Sequence, residues 1–216
     1  MPTHLTVGID EAGRGCVIGP LTIAVVAADV ADRRWFWAHN VRDSKLVPAA
    51  QRDELAKKIR QRCWFQIRVI NPPDIDAAVR DRSRTLNGLE LEVMADHLRD
   101  VMDEFPDHVR LALVDAPSTN AQGFLERLYV RSGWDDMDRL QAKHAADRRD
   151  RTVAAASILA KAERERLIRV IKNELGIDFG CGYAHDERTR KFLMTCPRGL
   201  ASVRWSWNSV HTVQPP

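Results

Sequence analysis

The sequence predicts an α/β fold, a mixed central sheet flanked by helices. Three patterns point to it. Residues 5–10 and 19–30 are apolar, the second rich in Val, Ile and Ala, and the glycines between them mark a turn. From Pro48 onward, amphipathic helical stretches alternate with short apolar strands. Residues 152–175 carry the longest helical signal, and its first half is built mostly from small residues, which suits close packing on a sheet.

The elements follow in order. "LTVGID" reads as a strand ending on Asp10 and "GPLTIAVVAADV" as a second one; with Gly13, Gly15 and Gly19-Pro20 between them they form an antiparallel hairpin. Neighbouring side chains on a strand point to opposite faces. Asp10 and Glu11 therefore share one site only if the strand stops at Asp10 and the chain turns at once, which is the expectation. Pro48 opens a helix whose Leu55 and Ile59 form an i,i+4 stripe. "CWFQIRVI" alternates Cys63, Phe65, Ile67 and Val69 and reads as a strand. Residues 85–105, with Leu86, Leu89, Val93, Leu98 and Val101, form a long amphipathic helix. It feeds "VRLALVDA", a strand ending near Asp115. A helix around "AQGFLERLYV" and a strand near "RLQAKH" follow. Thr152 is the expected cap of the long helix and Gly176 its stop. "GIDFGCGYAHDERT" is loop-like and leads to a short helix and a tail. Residues 1–175 are thus read as one catalytic domain, with 176–216 as an extension packed on it.

At 216 residues the chain can bury a core without disulfides. No apolar run approaches the roughly 20 residues that span a bilayer, so no membrane association is expected. The N-terminus lacks a basic region followed by an apolar one, and the cytoplasm is the expected location. Cys16, Cys63, Cys181 and Cys196 are widely separated without a CxxC pair and read as reduced, mostly buried thiols. The net charge of +3 says little about partners. Residues 139–172, however, hold ten Lys or Arg against four Asp or Glu, either a basic face or a solvated helix surface. Arg164, Arg166 and Arg169 read as solvated, with Glu165 and Arg169 paired at i,i+4. His144, His185 and His211 read as structural or surface residues, and the six tryptophans as core or rim.

The acids at strand ends carry the chemistry. In open α/β sheets, ligands bind beyond the strand ends. Asp10 and Glu11 end the first strand, Asp115 ends a later one, and Asp147 precedes the long helix. Clustered carboxylates raise one another's pKa unless a cation neutralises them. Oxygen ligands without Cys or His favour Mg²⁺ or Mn²⁺. Two such ions about 4 Å apart can drive an in-line phosphoryl displacement.

"GIDEAGRGCVIGP" resembles the signature of the type 2 ribonucleases H, the ribonuclease HII family, and the resemblance continues along nearly the whole chain. "DSKL" looks like the family's lysine-bearing loop, "TLNGLE" its helix-opening Asn motif, "LVDAPSTN" its third motif and "AADRRDRTVAAASILAKAERER" its long helix. "FGCGYAHDERTRKFL" and "VRWSW" look most like the archaeal branch. The resemblance implies a ribonuclease H-like fold. It implies two divalent ions, Mg²⁺ or Mn²⁺, on Asp10, Glu11, Asp115 and Asp147. It implies substrate binding through Gly13, Arg14 and Gly15, which would read a ribose 2′-hydroxyl, through Tyr183 stacked on the next deoxyribose, and through Ser44 and Lys45 on phosphate. The implied substrates are RNA–DNA hybrids and DNA with single embedded ribonucleotides. Three positions depart from the pattern: Cys16 replaces a proline and is expected to loosen the turn, Ala145 replaces a lysine, and Glu165 replaces an aspartate. A ribonuclease HIII-like enzyme cutting only longer RNA tracts, and a non-catalytic hybrid-binding module, are the alternatives. A monomer is expected. The tail "WSWNSVHTVQPP" is not a clear sliding-clamp motif, so a clamp partner stays open.

Overall fold

The structure, a computed structural model, describes residues 4–81 and 85–213. The tail's last residues, 214–216, lie outside the described ones. Among the described residues, β1 (Leu5–Ala12), β2 (Leu21–Ala28), β3 (Trp64–Ile70), β4 (Val109–Asp115) and β5 (Leu140–Lys143) form one sheet in the order β3-β2-β1-β4-β5. The sheet is mixed, as expected. β1 runs parallel to β4, and β4 parallel to β5. The helices are α1 (Val30–Ala38), α2 (Ala49–Arg62), α3 (Pro72–Arg80), α4 (Leu86–Glu104), α5 (Ala121–Ser132), α6 (Arg151–Leu175), α7 (Glu187–Thr195) and α8 (Asn208–Val213).

The chain divides into two compact units. The first holds Met1–Glu11, Ile23–Arg68 and Glu90–Ala162; the second holds Ala12–Thr22, Val69–Leu89 and Glu163–Pro216. In the first unit Val7, Ile9, Ile23, Val25, Leu98 and Val114 are fully buried. Ala154, Ala155 and Ala156 of α6 are equally buried, so the run of small residues does serve close packing. Gly8 shows how close: a Cβ there would lie 2.4 Å from the Thr152 carbonyl carbon and 2.5 Å from the Val153 nitrogen. Only a residue without a side chain lets the first turn of α6 approach β1 this closely. The second unit has its own core of Val17, Ile18, Phe179, Phe192, Leu193, Val203 and Val210.

Several local expectations are corrected. β1 continues through Glu11 to Ala12 instead of stopping at Asp10, and the turn comes at Gly13, whose φ of +91° favours glycine. The second strand ends at Ala28, because Asp29 accepts a hydrogen bond from the Asp32 N–H at 2.8 Å and caps α1. α3, with prolines in its first turn, was not expected from the sequence. α6 is capped by Asp150: its Oδ1 accepts from Thr152 N at 2.7 Å and from Val153 N at 3.2 Å, so Thr152 lies inside the helix.

Candidate active site

In the first unit the parallel register matches Ile9 on β1 with Val114 on β4. The next residues along these neighbouring strands are Asp10 and Asp115. β5 pairs Asp115 with Lys143, and four residues on from Lys143 the chain reaches Asp147, in a 3₁₀ turn over Ala146–Arg148. That turn starts from a left-handed Ala145, φ 51°, and the Ala146 N–H donates to Asp115 Oδ1 at 2.9 Å. Backbone and sheet thus bring three of the expected acids to one end of adjacent strands.

Their electrostatics shows the proximity. Asp10 is 4% exposed; burial, then the charge of Asp115, push its carboxyl well above the usual range, with Asp147 adding to the rise and a Ser157 hydrogen bond opposing it. Burial also raises Asp115, against the Ala146 N–H and the charge of Lys45. Asp147 is pushed up to about 6 by burial, by the charges of Asp43 and Asp115, and by a hydrogen bond that its protonated form gives to Asp43. Glu11 joins through its backbone, its N–H donating to Asp10 Oδ1 at 2.7 Å, and its side chain is half-buried.

Asp43, which opens "DSKL" and carries no role in the sequence reading, is 2% exposed and central to the site. Burial would raise its pKa, but the Lys45 N–H at 2.9 Å, the Arg148 guanidinium at 3.2 Å and the Lys45 charge hold it below the usual value. Ser44 is buried, and its Oγ and the Ser157 Oγ share a hydrogen bond at 2.9 Å. The buried Arg52 fixes this loop, its Nη1 donating to the carbonyls of Ser44 at 2.6 Å and Val47 at 2.9 Å. Lys45 itself is exposed and close enough to Asp115 and Asp147 to lower both.

Among the described residues, no three His, Cys, Asp or Glu side chains stand closed around one point. The fit to a metal rests on the donors: buried carboxylates, no sulfur or imidazole, and a mutual repulsion that a hard cation would relieve.

In the second unit, Gly13, Arg14 and Gly15 open a loop held from several sides. The Cys16 thiol is buried and donates to the Gly13 carbonyl at 2.9 Å, so the residue expected to loosen the turn ties it down. The Arg14 guanidinium hydrogen-bonds Asn87 of α4. Tyr183 lies beside the loop: a Cβ on Gly15 would be 3.9 Å from Tyr183 Cε1. Arg164, expected on a solvated face, is 3% exposed; its guanidinium lies over the Tyr183 ring, 4.9 Å from the centroid, and donates to Cys181 O at 2.9 Å. His185 stacks on Tyr183 with centroids 5.5 Å apart.

The ribonuclease HII family model matches residues 7–210. The chain belongs to the ribonuclease HII family. Ribonuclease HII of Archaeoglobus fulgidus is 38% identical over 210 residues, covering 96% of this chain and 95% of that protein. Ribonuclease HII of Thermococcus sibiricus is 37% identical over 212 residues, with 96% and 90% covered. Among solved structures, ribonuclease HII in the PCNA:RNase HII complex from Archaeoglobus fulgidus superposes with a TM-score of 0.83 at 35% identity, covering 98% of this chain and 97% of that one. The ribonuclease H2 of Pyrococcus horikoshii gives 0.80 at 28% identity, with 97% and 96% covered. Membership in the ribonuclease HII family supports ribonuclease H activity on RNA–DNA hybrids and a need for divalent metal ions. The ribonuclease H-like fold is the one expected.

Proposed function

We propose that this ribonuclease H acts as an endonuclease on RNA–DNA hybrids and also incises DNA 5′ of single embedded ribonucleotides, leaving a 3′-hydroxyl and a 5′-phosphate. Asp10, Asp115 and Asp147 would hold two divalent cations, Mg²⁺ or Mn²⁺, and Glu11, on a strand that runs on to Ala12, would join them only by turning its half-buried carboxylate back toward Asp10 across the pleat. When bound, the cations supply an activated water and stabilise the departing 3′ oxygen. Asp43 orders Asp147 by hydrogen bonding, and Ser157 does the same for Asp10. Lys45, exposed beside the acids, offers its ammonium to a substrate phosphate. Ser44 spends its hydroxyl on Ser157, so its share is to hold the lysine's loop.

The observation that carries the junction reading is the Gly13–Gly15 backbone with the Tyr183 ring at Gly15. Glycines let a ribose come close to backbone groups, and the 2′-hydroxyl separates RNA from DNA at a given position. The extension 176–216 would then serve to carry Tyr183. A sliding-clamp partner is supported by the PCNA complex of the Archaeoglobus fulgidus neighbour.

The test is a DNA duplex with one embedded ribonucleotide, supplied with Mg²⁺ or Mn²⁺. The expected product is a single nick 5′ of the ribonucleotide, abolished by Asp10→Asn. Cleavage of long hybrids alone would replace this specificity with that of a ribonuclease HIII. Binding without cleavage would leave only a hybrid-binding module.

A further inference from the structure

Trp37, at the end of α1, is 68% exposed, whereas the adjoining Phe36 is fully buried. The Arg151 guanidinium lies over its ring, 4.1 Å from the centroid, and also donates to the Val41 carbonyl. Arg33, on the same helix, pairs with Asp150 at 3.3 Å. Two residues past Val41, Asp43 takes the Arg148 guanidinium at 3.2 Å. These contacts join the end of α1, residues 39–43 and residues 148–151 into one surface of the first unit. Arg42 and Arg149 are exposed on its two chain segments. Through Asp43 the surface adjoins Asp147.

We propose that this surface takes the single-stranded flank of a nucleic-acid substrate, Trp37 stacking on an unpaired base and Arg42 and Arg149 meeting phosphates. The inference rests on the reading of the neighbouring acids as a cleavage site. A cluster of carboxylates repels phosphates, so affinity must come from cations around it. Duplex phosphates would need cations only. An exposed indole inside a basic surface gains by stacking only where a base is unpaired, and such stacking is tolerant of sequence because every base has a π-face. This also gives a role to part of the basic excess between residues 139 and 172.

The experiment measures binding by fluorescence anisotropy in an Asp10→Asn background, with a blunt RNA–DNA hybrid and the same hybrid bearing a single-stranded tail of about ten nucleotides. The tailed probe is expected to bind severalfold tighter. Trp37→Ala should lose about fivefold or more on the tailed probe, and more than it loses on the blunt one. Replacing Arg42 and Arg149 together with Gln should lower the slope of log affinity against log salt by about 2. Val130→Ala, at an exposed position of α5, is the control and should bind like its parent. The proposal is overturned if the tail adds no affinity, or if Trp37→Ala binds the tailed probe as its parent does. A chain with Asp10 intact that cuts no hybrid, while the tail-dependent affinity persists, would sink the cleavage reading and leave this surface standing.

Discussion

Arg204 donates from Nη1 to the carbonyl oxygen of Arg14 at 2.9 Å, reaching the Gly13–Gly15 loop from 190 residues further along the chain. Its Nε donates to Gly19 O at 3.0 Å and its backbone N–H to Val17 O at 2.9 Å, so one fully buried residue holds three carbonyls of the loop. Its guanidinium also lies over Trp207, 5.2 Å from the ring centroid. A planar fork serves two carbonyls at once in a way that an ammonium does not.

Arg204→Lys is therefore expected to destabilise the protein by about 2–4 kcal/mol, read from urea unfolding. Below the unfolding range it should erode the preference for an embedded ribonucleotide over a long hybrid. An unchanged preference would remove the loop from substrate reading.

Tyr183 offers a ring, and its burial raises the phenol's pKa, so no ionisation is asked of it near neutral pH. Tyr183→Phe should keep most of the activity on a single embedded ribonucleotide, whereas Tyr183→Ala should lose it. Arg164→Ala, which removes the cation above the ring, should raise KM more than it lowers kcat, with Arg164→Lys restoring part of the loss. Equal changes in KM and kcat for all three variants would deny the ring a positioning role.

The carboxylate cluster is strained without a cation. Asp10→Asn removes a buried charge facing Asp115 and Asp147, so the metal-free variant should melt higher than metal-free wild type even though it no longer cleaves. Mn²⁺ should raise the melting temperature of wild type and do so far less in the variant. A metal-free variant that melts lower would show that the cluster is not repulsive.

His97 is buried, its Nε2 donates to the Ile23 carbonyl at 3.1 Å, and burial lowers its pKa to about 4. An unfolded imidazole takes up its proton near pH ~6.5. Between these values the unfolded chain binds more protons, so this contribution is complete above about pH 6.5 and is lost as pH falls toward 4, by roughly 3 kcal/mol. The raised pKa of Asp147 acts in the opposite sense, favouring the folded state as pH falls through about 6. Unfolding free energies of wild type and His97→Gln, compared at pH 7.5 and 4.5 (roughly the ends of that window), separate the two. The variant should lack the acid-side loss.

Much of this was legible in the sequence because it is periodic or motif-borne. The apolar run of "CWFQIRVI" and the alanines before Ser157 both became elements where expected, although the strand does not bury alternate residues: Val69 is exposed and Ile70 buried. Asp10 and Asp115 could be picked out because strand ends are where open sheets bind ligands, and Asp147 because its distance to the long helix matches the family's pattern. What stayed hidden depends on contacts distant in the chain. Nothing local marks Arg164 as buried, since it sits among charged residues on an exposed-looking helix and is drawn in by Tyr183 and Cys181. Asp43 looked like part of a lysine loop because its partners, Arg148 and Asp147, lie about a hundred residues away. α1 did carry a signal, the capping Asp29, which the preceding run of β-formers masked.

The missing side chain of Gly8, its place taken by the backbone of α6, acts as a spacer gauge. The separation of α6 from β1 is set by missing atoms, with no soft side chain between them that could adjust. A methyl group there would displace the start of α6, and with it Ser157, from the strand that carries Asp10. Gly8→Ala should thus be a lesion of alignment before it is one of folding: its activity should fade at temperatures where circular dichroism still reports a folded chain, whereas wild type should lose both together.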